Sequence, residues 1–209
     1  MNQSLLKLNL GCGTNKLDGW VNIDAVKDCN PDLVHDISQP LPYQDGTVDE
    51  ILAIDLLEHF DKYMRYGVFY EWVRVLKVGG KIHLQVPNFP KIVWRYFKLD
   101  FESFLDFVFG EPLWNGEVYL GAFGSHKWGY SKKSLHNFAK LFRIKPLVLE
   151  TKGLNIDFIG EKESHLGAEA LDEIKIFSFP NVGIGKSYAS LKTVKDRIKT
   201  FQQRESHKI

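Results

Sequence analysis

The segment Leu8-Asn9-Leu10-Gly11-Cys12-Gly13 joins an apolar run to two glycines, residues that let a backbone approach a ligand closely and turn with positive φ. An ordinary tight turn has the same composition, so the pair alone is weak. Acids follow it at intervals. Val21-Asn22-Ile23-Asp24 ends in a carboxylate able to accept hydrogen bonds from both hydroxyls of an adenosine ribose. Asp32-Leu33-Val34-His35-Asp36-Ile37 offers a second, placed to accept from an adenine amino group while Ile37 packs on the ring. Ala53-Ile54-Asp55-Leu56-Leu57-Glu58-His59 supplies a third. Each acid singly suits a helix cap or a solvated charge; their succession in this order is uncommon. A nicotinamide dinucleotide fingerprint needs a third glycine where Lys16 stands, so that cofactor does not match.

Such residues act together only if they terminate neighbouring strands. Apolar runs at Leu5 to Leu10, Trp20 to Ile23 and Glu50 to Ile54, each followed by an acid or a glycine turn, read as buried parallel strands. A fourth run, Lys81 to Val86, follows Gly79-Gly80 and stops at Pro87. Between the last two, a helix is predicted from about Asp61 to Leu76, with Met64, Val68, Trp72, Val75 and Leu76 on one face and Gly79 ending it. Strand, helix and strand in that order imply an α/β fold, a Rossmann-like doubly wound, mostly parallel sheet. Lys145 to Thr151 and Ile174 to Phe179 read as an antiparallel C-terminal edge.

Residues 88 to 130 hold thirteen of the 28 aromatics, which marks them as an insertion of different character. Trp94, Phe97, Phe101, Phe104, Leu105 and Val108 recur at helical spacing opposite Arg95, Lys98, Glu102 and Asp106, predicting one amphipathic helix. It reads either as a lid over the site, or as a satellite core or homodimer contact. Trp114, Trp128 and Tyr130 lie off that stripe and suit an acceptor better. Another helix begins at Ser131 as N-cap, with Leu135, Phe138, Ala139 and Phe142 inward. From Ser187 the chain carries six Lys or Arg against two acids, a basic tail over 187–209 on an expected single domain of 1–209.

The net charge of +1 provides no extended basic field, which disfavours nucleic acid as the main partner. Cys12 and Cys29 are too few for a disulfide framework, and no CxxC or Cys/His zinc spacing occurs, so no metal site is expected. The start, Met1-Asn2-Gln3-Ser4, lacks the pattern of a signal peptide, and no run approaches a membrane span. A soluble cytoplasmic protein is the expectation.

Taken in order, these segments resemble class I S-adenosylmethionine (SAM)-dependent methyltransferases over about residues 6 to 150. More narrowly, Asp18-Gly19-Trp20-Val21-Asn22-Ile23-Asp24, His35-Asp36-Ile37, Leu41-Pro42-Tyr43, Asp55-Leu56-Leu57-Glu58-His59-Phe60, Glu71 to Gly80 and Val86-Pro87-Asn88 look like a bacterial subfamily of small methyltransferases. Members of that subfamily are often associated with surface-polysaccharide biosynthesis. The resemblance implies that Gly11, Cys12 and Gly13 hold the methionine part, Asp24 the ribose, and Asp36 with Ile37 the adenine, while Asp55 and Leu56 line the pocket near the sulfonium. The chain departs from it twice. Asn9 stands where an acid is usual, so the hydrogen bond expected from it to the cofactor amino group is weaker and uncharged. Only ten residues separate Gly13 from Asp24, too few for the usual helix, so Asn15 and Lys16 are expected to replace its dipole, the ammonium facing the methionine carboxylate.

The implied reaction is in-line methyl transfer to a small-molecule or glycan acceptor, with S-adenosylhomocysteine as the product. A hydroxyl acceptor would need a base within hydrogen-bond reach, and His59, Glu58, His126 and Tyr130 are the candidates. His59 equally suits a helix cap. His126 and Tyr130 share the loop Gly124-Ser125-His126-Lys127-Trp128-Gly129-Tyr130, a position where function is often carried. Two other readings compete: a non-catalytic SAM-binding module, and an RNA or protein methyltransferase recruited by the basic tail.

Overall fold

A computed structural model describes residues 5–97, 100–110, 113–114, 118–119 and 124–166. Its main sheet is built from β1 (Lys7–Leu10), β2 (Val21–Asp24), β3 (Leu33–Val34), β4 (Val48–Ile54), β5 (Leu76–Pro87), β8 (Ile144–Lys152) and β9 (Asn155–Lys162), in the order β3-β2-β1-β4-β5-β9-β8. β6 (Leu113–Trp114) and β7 (Val118–Tyr119) form a separate antiparallel pair. The first five strands run parallel, and β9 runs antiparallel to both β5 and β8. This is a Rossmann-like, doubly wound fold with an antiparallel edge. The chain leaves β1 toward β2 on one side and later returns as β4 on the other, so the order reverses between β1 and β4. That switch point, at the carboxyl ends of both strands, is where such sheets bind ligands.

Leu8, Leu10, Ile23, Ile51 and Ala53 are wholly buried, as expected of inner parallel strands whose apolar residues are covered on both faces. Helix α1 (Met64–Val75) buries Val68, Phe69, Trp72, Val73 and Val75, each contributing roughly 1.5–3 kcal/mol through area removed from water. Helix α4 (Lys132–Leu141) packs on it, with Phe69 to Phe138 and Phe142 ring centres 5.0 and 4.9 Å apart. Ser131 caps α4 in a reciprocal pair with Ser134, and Leu135, Phe138, Ala139 and Phe142 are buried as the spacing predicted.

Three expectations need correction. Gly79 does not end α1; the helix stops at Val75, and Leu76 is already extended at ψ 134°. Val48 pairs with Leu76 and Glu50 with Lys81, so residues 77–80 bulge from β5, and Gly79 supplies the positive φ of +81° that the bulge requires. Val73 and Leu76 carbonyls at this junction accept hydrogen bonds from the buried Lys162 Nζ at 2.6 and 2.7 Å. Met64 is exposed, because it opens the helix beyond the edge of the core.

The aromatic stripe forms two helices, α2 (Phe89–Tyr96) and α3 (Phe101–Phe109), because Asp100 accepts from Ser103 N and starts a new helix there. Trp94, Phe97, Phe101 and Phe109 are exposed. The partner of Ile144–Lys152 is Asn155–Lys162, joined through a tight turn at Gly153, φ +57°. Ile174 to Phe179 and the tail from 187 lie outside the described residues.

Candidate functional site

At the end of β1, Gly11 adopts φ +61° directly under Leu56, such that a β-carbon on residue 11 would lie 2.6 Å from Leu56 Cδ1. Gly13, at φ +50°, donates its N–H to Asp24 Oδ2 at 2.8 Å, and Val26 N donates to the other oxygen at 2.8 Å. Each oxygen of a carboxylate keeps a second acceptor site, so Asp24 retains capacity for two more donors such as ribose hydroxyls. Cys12 is buried, and burial with Asp24 nearby pushes its thiol up to about 11, so it stays neutral.

No helix lies between β1 and β2. A polar network takes its place. The buried Asn9 side chain donates through Nδ2 to Asn15 O at 3.0 Å and to Asn22 Oδ1 at 2.9 Å. Asn22 Oδ1 also accepts from Leu17 N, and its Nδ2 reaches Leu17 O and Asp32 Oδ2. Lys16 closes the chain with an ion pair to Asp32 at 2.6 Å, and this lysine, with the Asn22 donors, holds the Asp32 carboxyl down at about 2. Lys16 is thus engaged with Asp32, and Asn15 contributes a backbone carbonyl. Sequence reading missed Asn22 and Asp32; the polar residue inside an apolar strand was their only signal.

Asp36 follows β3, accepting from Ser38 N at 2.9 Å, and Ile37 beside it is buried. At the end of β4, Asp55 sits at φ +47°, an uncommon backbone state for a non-glycine residue and one that clusters at functional sites. Burial raises its pKa, partly offset by Gln85, whose amide lies 3.4 Å from Oδ2. The Gly11–Gly13 turn, Asp24, Asp36, Asp55 and Leu56 therefore all stand at carboxyl ends of parallel strands on either side of the switch point. These groups suit an adenosine-containing ligand: glycines without a β-carbon, a carboxylate with unused acceptor sites, and an apolar leucine over the turn.

Just past β4, a short 3-10 turn (Leu57–His59) delivers Glu58 and His59. The Glu58 carbonyl accepts from Lys127 N at 2.7 Å and Trp128 N at 3.0 Å, which draws the loop containing His126 onto this strand end. His59 and His126 meet edge to face, ring centres 4.9 Å apart. Burial, then His126, lowers the His59 pKa to about 4, so its ring is neutral at pH 7. His126 also lines a cavity of about 230 Å³ with Pro87, Phe89, Phe107, Phe109 and Trp128. The fourth base candidate, Tyr130, is placed differently. It is wholly buried against Phe138, with the Arg65 guanidinium 5.7 Å from its ring centre, and burial raises its hydroxyl pKa. A core position explains Tyr130 better than a catalytic one. The Trp114 side chain lies outside the described residues.

The fold is of the Rossmann-like kind, with its candidate ligand site at the strand ends. Residues 21–84 match the sequence profile of a methyltransferase domain. No curated protein matches the sequence. A SAM-dependent methyltransferase of Methanosarcina mazei is similar in structure at TM-score 0.56 and 18% identity, over 77% of this chain and 93% of its own. A Pyrococcus horikoshii protein gives 0.55 at 21% identity, over 78% and 84%. The 1,6-didemethyltoxoflavin-N1-methyltransferase of Burkholderia thailandensis, crystallised with 1,6-didemethyltoxoflavin and S-adenosylhomocysteine, gives 0.52 at 10%, over 78% and 72%. The profile matched over residues 21–84 is that of a methyltransferase domain, and the overall fold is shared with solved methyltransferases.

Proposed function

We propose that this enzyme transfers the methyl group of SAM in line to a small-molecule or glycan acceptor, releasing S-adenosylhomocysteine. The observation that carries the reading is the placement of Gly11, Asp24, Asp36 and Asp55 at the carboxyl ends of four neighbouring parallel strands. When bound, SAM supplies a sulfonium that is both electrophile and leaving group, so the protein's part is orientation and exclusion of water. Gly11 and Gly13 admit the methionine portion, Asp24 holds the ribose, and Asp36 with Ile37 meets the adenine. Asp55 and Leu56 face the reacting end. The acceptor enters between α3 and residues 126–129, where the rings of His59 and His126 meet its reacting end.

A volume of about 230 Å³ is at the small end for a ligand pocket, so a glycan would present one hydroxyl or one sugar there rather than enter whole. That the Burkholderia thailandensis structure holds 1,6-didemethyltoxoflavin fits the small-molecule arm of the reading. In this reading residues 88–130 act as the lid of a single domain, their exposed rings Trp94 and Phe101 also suit a second copy of the chain, and the basic tail 187–209 is peripheral. No helix among the described residues is long and apolar enough to cross a membrane; cytoplasmic action suits the two reduced cysteines.

Calorimetric titration with SAM and S-adenosylhomocysteine, followed by a demethylated-cofactor release assay across sugar nucleotides, glycans, small metabolites and RNA, tests the proposal. Saturable cofactor binding with turnover on a small or glycan acceptor supports it. Binding without turnover on any acceptor would favour a non-catalytic module, and turnover on RNA alone would favour recruitment by the tail.

A further inference from the structure

Glu58 is buried to 1% exposure, and neither of its carboxylate oxygens has a hydrogen-bond partner among the described residues. A buried carboxylate left without donors is costly by several kcal/mol, so native proteins pair it, protonate it or give it a cation. Among the described residues no cationic side chain bonds it, and its own backbone N–H lies near the carboxylate. Its surroundings offer His59 and His126 instead: one donor atom from each of the three residues lies within 4.8 Å of the others.

The two imidazoles are oriented as ligands are. His126 Nδ1 lies 2.8 Å from the Phe107 carbonyl oxygen, and His59 Nδ1 lies 3.1 Å from that of Ser125, with the Asp55 carbonyl also near the His59 ring. A carbonyl only accepts, so in both rings Nδ1 carries the proton and Nε2 of the neutral ring holds a lone pair. Backbone carbonyls that fix the tautomer in this way are the usual outer support of metal-bound histidines. The support is built into the fold here: Phe107 belongs to α3, Ser125 precedes His126, and His126 N itself bonds Phe109 O at 2.8 Å. Gly110 makes the approach possible, since a β-carbon there would lie 2.3 Å from Gly124 O and 3.1 Å from His126 Cδ2. Asp55, close enough to act electrostatically on both Glu58 and His126, adds negative charge.

We propose that Glu58, His59 and His126 form a site for a divalent first-row transition ion of the zinc class. Two imidazole nitrogens and one carboxylate oxygen are a donor set that such ions favour over magnesium or calcium, and three protein ligands leave a coordination position open. His126 also lines the cavity, so the open position lies on the acceptor's side and takes an acceptor oxygen. That last assignment rests on the methyltransferase reading; the ion site itself does not. It departs from the expectation that the chain holds no metal, because spacing alone cannot reveal ligands 67 residues apart.

The test is titration of Zn²⁺ into the full chain after stripping with EDTA, read by calorimetry and by competition with a chromogenic chelator, without SAM. Co²⁺ substitution gives an optical readout of the ligand field. One equivalent of Zn²⁺ is expected, with affinity falling about 100-fold or more in His59→Ala and His126→Ala and markedly in Glu58→Gln. If a variant does not fold, as near-ultraviolet circular dichroism would show, His126→Asn and the wild-type Co²⁺ spectrum decide. No Zn²⁺ or Co²⁺ uptake by the wild type, or uptake unchanged in folded histidine variants, overturns the site and leaves Glu58 a buried protonated acid. SAM binding measured on the metal-free chain separates the two ideas: its loss with Zn²⁺ uptake intact refutes the methyltransferase reading alone.

Discussion

Asn9 on β1 and Asn22 on β2 face each other across a parallel register pair and share a hydrogen bond of 2.9 Å from Nδ2 to Oδ1. The second hydrogen of Asn9 Nδ2 goes to Asn15 O, so one side chain ties the following loop to the neighbouring strand. This explains the amide at position 9: both partners of Asn9 are oxygens, and a carboxylate has nothing to donate to them. Asn9→Asp should therefore destabilise the protein by about 1–3 kcal/mol, a buried carboxylate then facing two oxygens with no proton to donate to them. Denaturant unfolding measures it, and Asn9→Asp should weaken SAM binding as well.

Gly11→Ala tests the turn beneath Leu56. The new β-carbon meets Leu56 Cδ1 at 2.6 Å, and φ +61° is strained for alanine by roughly 1–2 kcal/mol. SAM affinity should fall at least tenfold by calorimetry. Leu56→Ala in the same chain relieves the clash but not the backbone strain, so it should restore stability only in part.

The loop's ion pair gives a pH signature. Asp32 titrates at about 2 in the folded chain against 3.8 ordinarily, chiefly through Lys16. A depressed carboxyl pKa stabilises the fold above the unfolded value, and that contribution is lost as pH falls from about 4 through 2. In carboxyl-carbon NMR titrations, the Asp32 midpoint should rise toward 3.8 in Lys16→Ala. Because the pair is largely solvated, stability at pH 7 should hardly change.

How far the sequence reveals this molecule depends on how local each signal is. Buried parallel strands announce themselves as apolar runs ending in acids, which is why β1, β2, β4 and β5 and the order of Gly11, Asp24, Asp36 and Asp55 are readable. β9 is hidden because Asp157, Gly160 and Lys162 interrupt its apolar pattern, and those residues are explained only by distant partners: Lys152 and His83 at Asp157, and the end of α1 at Lys162. The break between α2 and α3 is written in Asp100 and Ser103, a cap that the continuous aromatic spacing masks. Glu58, His59 and His126 share no local pattern, since Lys127 N and Trp128 N must first dock on the Glu58 carbonyl.

Tyr130→Phe separates core from catalysis. The ring packs 6.4 Å from Phe138 and the hydroxyl is buried, so the variant should keep turnover within twofold and stability within about 1 kcal/mol, as a near-isosteric change. A loss of turnover beyond tenfold, with SAM affinity unchanged, would return Tyr130 to the reacting centre.

Lys162→Met should cost about 2–3 kcal/mol by urea unfolding, since the Val73 and Leu76 carbonyls lose a buried charged donor without access to water. The distance along the chain gives that contact a further meaning. After Leu76 is made, 86 more residues must be added before its carbonyl meets the ammonium that satisfies it. During synthesis, the junction between α1 and β5 therefore waits on one of the last described strands. A nascent chain stopped at residue 152 would have every proposed cofactor contact already translated, yet an open helix end and an unpaired β5 edge. Ribosome-bound intermediates of this protein should stay protease-sensitive at residues 73–80 until the hairpin emerges.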